Sequence, residues 1–174
     1  MSQFSSVPFQ FKIEPPLESQ RRVNIVLNPI TLMNVGLNIP VQIMTSSIYR
    51  KGQDKEPFKT ITLMAHFDTG ASKTSIDIKI AEHLGLSATG EAKQRTAGGE
   101  RVYPTYAIDL LFPSTQLTPF LNLQVNSCDL CFSFELFNEQ RINQTNLGIL
   151  IGRDIMSKWN IVWNGPTSSV YISD

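Results

Sequence analysis

An apolar run, Ile61-Thr62-Leu63-Met64-Ala65-His66-Phe67, passes directly into Asp68-Thr69-Gly70-Ala71-Ser72. The end of a buried strand is a costly place for a carboxylate, because leaving water disfavours its charge unless hydrogen-bond donors surround it. The residues that follow can supply such donors. The Gly70 amide has no side chain to hinder its approach to the carboxylate, and the Thr69 hydroxyl can bond nearby backbone. The plain alternative is an Asx-type turn that only closes a loop between strands, and the tripeptide alone does not choose between the two readings.

Other segments carry chemistry-bearing residues. Leu147-Gly148-Ile149-Leu150-Ile151-Gly152-Arg153-Asp154-Ile155-Met156 joins an apolar strand, a glycine and an Arg-Asp pair to the start of a helix, with Gly152 lying 84 residues after Asp68. Between these segments, Thr96-Ala97-Gly98-Gly99-Glu100 leads into the alternating Arg101-Val102-Tyr103-Pro104-Thr105-Tyr106. Adjacent glycines permit positive φ and close backbone approach to a ligand, which suits the tip of a mobile hairpin; an ordinary turn is the alternative. Cys128 and Cys131 form a Cys-x-x-Cys pair. A tetrahedral zinc needs about four ligands, and His66 and His83 stand in no ligand-like spacing with the pair, so no metal is expected. A redox pair favours a strand-to-helix setting, whereas Cys131 to Phe137 reads as a strand; free thiols are the expectation. His66 shares a strand face with Asp68 by alternation, and packing is its simpler role.

The elements that position these residues are mostly strands. Ser, Thr and Asn supply 40 of the 174 residues and separate short runs of Val, Ile, Phe and Tyr, the texture of an all-β domain. Strands are expected over Phe9–Ile13, Val23–Leu27, Val41–Tyr49, Phe58–Phe67, Arg101–Phe112, Leu121–Val125, Cys131–Phe137, Leu147–Ile151, Ile161–Trp163 and Val170–Ile172. Tyr49 to Pro57 reads as a solvated loop closing a hairpin, and Asn164-Gly165 as a tight turn before the last strand. Two helices are expected. In one, Asp77 caps a start, Ile76, Ile80, Ala81 and Leu84 share a face, and Gly85 ends it; the other spans Asp154–Trp159. Trp159 and Trp163 read as core or dimer-contact aromatics.

Composition narrows the function classes. At 174 residues, one domain with an additional arm is expected, divided here into an arm or extra strands over 1–38 and a domain over 39–174. With 15 basic and 15 acidic residues the formal charge is zero, which argues against a nucleic-acid partner. No apolar run is long enough for a membrane span, and Met1 to Pro16 lacks the basic start and apolar stretch of a secretory signal, so a cytoplasmic location is expected.

Together, Asp68-Thr69-Gly70-Ala71 and Leu150-Ile151-Gly152-Arg153-Asp154 resemble the retropepsin-like aspartic proteases, the single-domain family that includes the retroviral enzymes. Leu84-Gly85-Leu86, ending the helix after the aspartate motif, is similar to the cellular and bacterial branch. The resemblance covers about residues 39 to 174. It implies an all-β retropepsin-like fold: a small closed β-barrel with a flap hairpin and one or two short helices, homodimeric, working without a cofactor. It further implies that Asp68 is catalytic, that Thr69 and Gly70 support it, that Ala71, Ser72, Ala97, Gly98 and Gly99 lie against an extended peptide or protein substrate, and that Ile151, Gly152, Arg153 and Asp154 form a structural element beside the active-site loop. Ser72 replaces the acidic residue that many retroviral members carry there.

Peptide hydrolysis by this route needs two carboxyl groups sharing a proton, because like charges held so close cannot both ionise. None of the other aspartates, Asp54, Asp77, Asp109, Asp129, Asp154 or Asp174, begins a second Asp-(Thr/Ser)-Gly sequence. A protease of this kind must therefore pair Asp68 with Asp68 of another copy. The alternative is a catalytically silent peptide-binding or dimerisation module on the same fold.

Overall fold

Alternation of apolar and polar residues builds the strands that carry the site. In the computed structural model, Thr60–Phe67 buries Ile61, Leu63 and Ala65 and exposes Thr60, Thr62 and Met64, the two-residue period of a half-buried strand. The structure describes residues 22–26, 36–50, 59–96, 99–113, 115–135 and 147–174. Ten strands are described: β1 (Arg22–Val26), β2 (Asn38–Thr45), β3 (Thr60–Phe67), β4 (Ser75–Asp77), β5 (Gly90–Thr96), β6 (Gly99–Leu111), β7 (Phe120–Cys128), β8 (Ile149–Ile151), β9 (Asn160–Asn164) and β10 (Ser169–Ser173). Three short helices lie wholly among the described residues: α1 (Ser47–Arg50), α2 (Ile78–Leu84) and α3 (Arg153–Met156). The described residues thus form an all-β structure, and α1 was not among the expected helices.

Pairing runs β2-β3-β8-β4-β7-β6, and β2 also pairs with β6, so six strands close into a barrel. Ile39, Val41, Ile43, Ile76, Ile108, Leu110, Ile149 and Ile151 fill its interior, none more than 1% exposed. Phe112, Phe120 and Trp159 cluster at ring-centroid separations of 5.1 to 6.1 Å, which places Trp159 in the core. Among the described residues β5 pairs only with β6, and the two extend outside the barrel as a hairpin. A separate three-stranded sheet, β1-β10-β9, joins the C-terminal hairpin to a strand from the N-terminal arm.

α2 follows its capping cues, but Ile76, expected on its apolar face, lies in strand β4 and only Ile80, Ala81 and Leu84 form that buried face. Asp77 Oδ1 accepts from the Lys79 amide at 2.9 Å, and Gly85 ends the helix at φ 66°, the left-handed region in which a Cβ is strained. Other expectations need correction. β2 stops at Thr45 and α1 takes over at Ser47, whose amide donates to buried Asp109 Oδ2 at 3.0 Å. β5 departs from expectation: up to Thr96 its residues, Gly90-Glu91-Ala92-Lys93-Gln94-Arg95, include no β-branched or aromatic side chain, and the strand is held by pairing with β6. Residues 131–133, expected in a strand, are irregular: Cys131 has φ 60°, and the Leu130 and Phe132 amides donate to Asp77 Oδ2 at 2.8 and 3.2 Å rather than to a ladder. The helix expected over Asp154–Trp159 is the shorter α3. The Phe9–Ile13 strand and most of the Tyr49–Pro57 loop lie outside the described residues, although β2 and β3 do pair antiparallel. Among the described residues, no helix is long and apolar enough to cross a membrane.

Candidate active site

β3 delivers Asp68 to the end of the barrel beside β8. Phe67 pairs in parallel with Ile151, and the Asp68 amide donates to the Ile151 carbonyl at 3.0 Å. The chain then turns tightly: the Ala71 amide donates to the Asp68 carbonyl at 3.2 Å, and the Gly70 amide to Asp68 Oδ1 at 2.8 Å. A Cβ at position 70 would lie 3.0 Å from that carboxylate oxygen, so glycine keeps the approach open. The donor that the sequence assigns to Gly70 is in place, on a half-buried Asp68 with Thr69 and Gly70 exposed beside it.

The second motif braces this loop from beneath. Arg153 Nη1 donates to the Thr69 and Gly70 carbonyls at 2.6 and 3.2 Å, and the Arg153 amide donates to the Ala71 carbonyl at 3.0 Å. Asp154 Oδ1 accepts from the Thr74 amide and hydroxyl, each at 2.9 Å, and the Gly152 amide donates to Thr74 Oγ1 at 3.1 Å. At Gly152 an added Cβ would fall 2.4 Å from the Lys73 carbonyl carbon and 2.6 Å from the Thr74 nitrogen, a separation only glycine allows. Ile151 is fully buried in the core. Two segments joined by bonds spanning 78 to 84 residues of sequence thus form one hydrogen-bonded unit.

Above the loop lies a cavity of about 670 Å³. Asp68, Gly70, Ala71 and Ser72 line it, and the β5–β6 hairpin contributes Arg101 and Tyr103. Of the residues expected at the hairpin tip, Ala97 and Gly98 lie outside the described residues; Gly99, at φ 110°, begins β6 and pairs with Thr96. Sequence reading missed Arg101, Tyr103, Asn126 and Asp129 as cavity residues. The alternation Arg101-Val102-Tyr103 was the available signal, since it puts the first and third residues on one face.

The histidines and Cys131 do not line this cavity, whereas Cys128 does. His66 Nδ1 is hydrogen bonded with Asn38 Oδ1 at 3.2 Å, and His83 packs on Phe134. Both cysteines carry free thiols. Cys128 is buried at the end of β7, where burial above all, then the Asp77 charge, pushes its thiol up to about 11; Cys131 is exposed.

Residues 58–120 match the aspartyl protease family. Among solved structures, the chain is similar to a retropepsin-like aspartic protease from Rickettsia conorii, at 13% identity and a TM-score of 0.47, over 88% of this chain and 91% of that one. No curated protein matches in sequence. The family match spans the Asp68 loop and the β5–β6 hairpin, 63 of the 174 residues.

Proposed function

We propose that the chain is an aspartic endopeptidase acting as a homodimer, with one Asp68 from each copy forming the catalytic pair. The observation that carries this reading is the Asp68 carboxylate, fixed by the Gly70 amide at 2.8 Å, lining a cavity that also takes residues of a projecting hairpin. In the reaction, the ionised carboxyl of the pair takes a proton from water while the protonated one hydrogen bonds the scissile carbonyl. The water oxygen adds to the carbonyl carbon, and collapse of the tetrahedral species with proton transfer to nitrogen releases a carboxylic acid and an amine. No covalent enzyme intermediate forms.

Thr69 and Gly70 hold the pair's geometry, Ala71 and Ser72 meet the substrate, and the β5–β6 hairpin acts as a flap over it. An extended peptide would be held by main-chain hydrogen bonds, as an added strand is. The exposed Val162 and Trp163 on β9, 43% and 51% accessible, support a contact with a second copy through the three-stranded sheet. Such a dimer gives the exposed Asp68 loop its partner across a two-fold axis.

Cleavage of a peptide library, read by mass spectrometry across protein concentrations for the wild type and Asp68→Asn, tests the reading. Cuts made only by the wild type, with specific activity rising as copies associate, are expected. A dimer that cuts nothing would leave a silent peptide-binding module instead.

A further inference from the structure

Six charged residues line the cavity: the acids Asp68 and Asp129 and the cations Lys73, Lys93, Arg95 and Arg101. This basic surplus occurs in a chain whose acidic and basic residues are equal in number, 15 each. Hairpin register divides the cations. Lys93 and Arg95 share one face with Glu100, which pairs across from Arg95, and Lys93 Nζ lies 3.4 Å from Glu100 Oε1. Arg101 lies on the other face, opposite Gln94 and two residues before Tyr103.

That second face is the one turned to the barrel. Gln94 Nε2 donates to the Ser127 carbonyl at 2.7 Å, tying it to the end of β7 where Asn126 and Cys128 also line the cavity. Of the two acids, Asp129 has Oδ1 engaged by the Cys131 amide at 3.0 Å, and Asp68 has Oδ1 engaged by Gly70. Among the described residues neither Arg101 nor Lys73 is in an ion pair, and both are exposed. A planar guanidinium on a strand face presents a fork matched to a carboxylate.

We propose that Arg101, with Lys73 from the Asp68 loop, forms a subsite for a carboxylate side chain of the substrate, so that the cleft selects acidic peptides. This rests on reading the cavity as the peptide cleft of a protease. Repulsion from Asp68 keeps the acidic residue off the scissile bond itself, so the selected position flanks it.

The test uses fluorescein-labelled peptide pools with one fixed Glu, Gln or Lys in otherwise random sequence. Two quantities are read: kcat/KM of the full chain, and affinity of Asp68→Asn by fluorescence anisotropy. Glu pools should be preferred over Gln pools about five- to tenfold, and over Lys pools by more. Placed in either background, Arg101→Gln should bring the Glu-to-Gln ratio below about twofold, Arg101→Lys should keep part of it, and Arg101→Glu should turn the preference toward Lys. Lys59→Gln removes one positive charge from an exposed position outside the cavity and should change the ratio less than about twofold. Equal handling of all three pools, or a Glu preference that survives Arg101→Gln, overturns the subsite. If the wild type cuts no pool, the protease reading falls, while the anisotropy ratio still decides the subsite.

Discussion

The loop after β3 and the β5–β6 hairpin line the same cavity but are built in opposite ways. The loop is fastened at nearly every residue: Asp68 to Ile151, Gly70 to the Asp68 carboxylate, the Thr69, Gly70 and Ala71 carbonyls to Arg153, and Thr74 to Asp154. The hairpin is held by its own ladder, with Gln94 and the Pro104 carbonyl both tied to Ser127 of the barrel, and residues 99–102 of β6 are exposed where residues 106–110 are buried. Many buried contacts make a region costly to open, and few make it easy. A general base must be placed to within a fraction of an ångström, whereas a cover that admits a peptide must move.

Breaking the fastened side should give the largest effects. Asp68→Asn keeps the shape of the side chain but cannot share a proton, so kcat/KM should fall at least about a thousandfold with an unchanged circular-dichroism spectrum. Gly152→Ala drives a Cβ into the backbone of Lys73 and Thr74, and urea unfolding should show a loss of about 3 kcal/mol or more. Cys128 sharpens the contrast between buried and open positions at one site. With its thiol pushed up to about 11 from 9.0, less thiolate is present at any pH below that value, so at pH 8 iodoacetamide should label it about a hundredfold more slowly than an ordinary thiol, with exposed Cys131 labelled first. Arg153→Ala removes the brace under the loop but leaves the core intact. Stability should fall by about 1 kcal/mol and kcat/KM by about tenfold, the second change exceeding what the first would cause in the folded population. On the hairpin, Lys93→Ala breaks an open ion pair with Glu100, and thermal unfolding should register less than about 0.5 kcal/mol. A hairpin substitution as costly as Gly152→Ala would erase the distinction between the two regions.

The fastened side was also the more legible in sequence. Asp68, Gly70 and the α2 caps, Asp77 and Gly85, each carry a local demand that only a few residue types meet: a close approach, a positive φ, or an oxygen facing an amide. Elements whose partners are distant were not legible. β5 is a strand because β6 lies beside it, and residues 131–133 fail to be one because Asp77, far off in sequence, takes the Leu130 and Phe132 amides. Arg101 and Tyr103 stood in plain alternation, but which face looked into the cavity depended on the bond from Gln94 to Ser127. Trp159 and Trp163 had the same reading, and packing against Phe112 and Phe120 separates the buried from the exposed one.

The shared site is tested most directly by mixing. Wild type and Asp68→Asn are combined in equal amounts, allowed to exchange subunits, and assayed at fixed total protein. If each site needs an Asp68 from both copies, only paired wild-type chains cut, and activity should settle at about a quarter of the unmixed wild type. Activity of about a half would mean that each chain works alone, and would contradict the account.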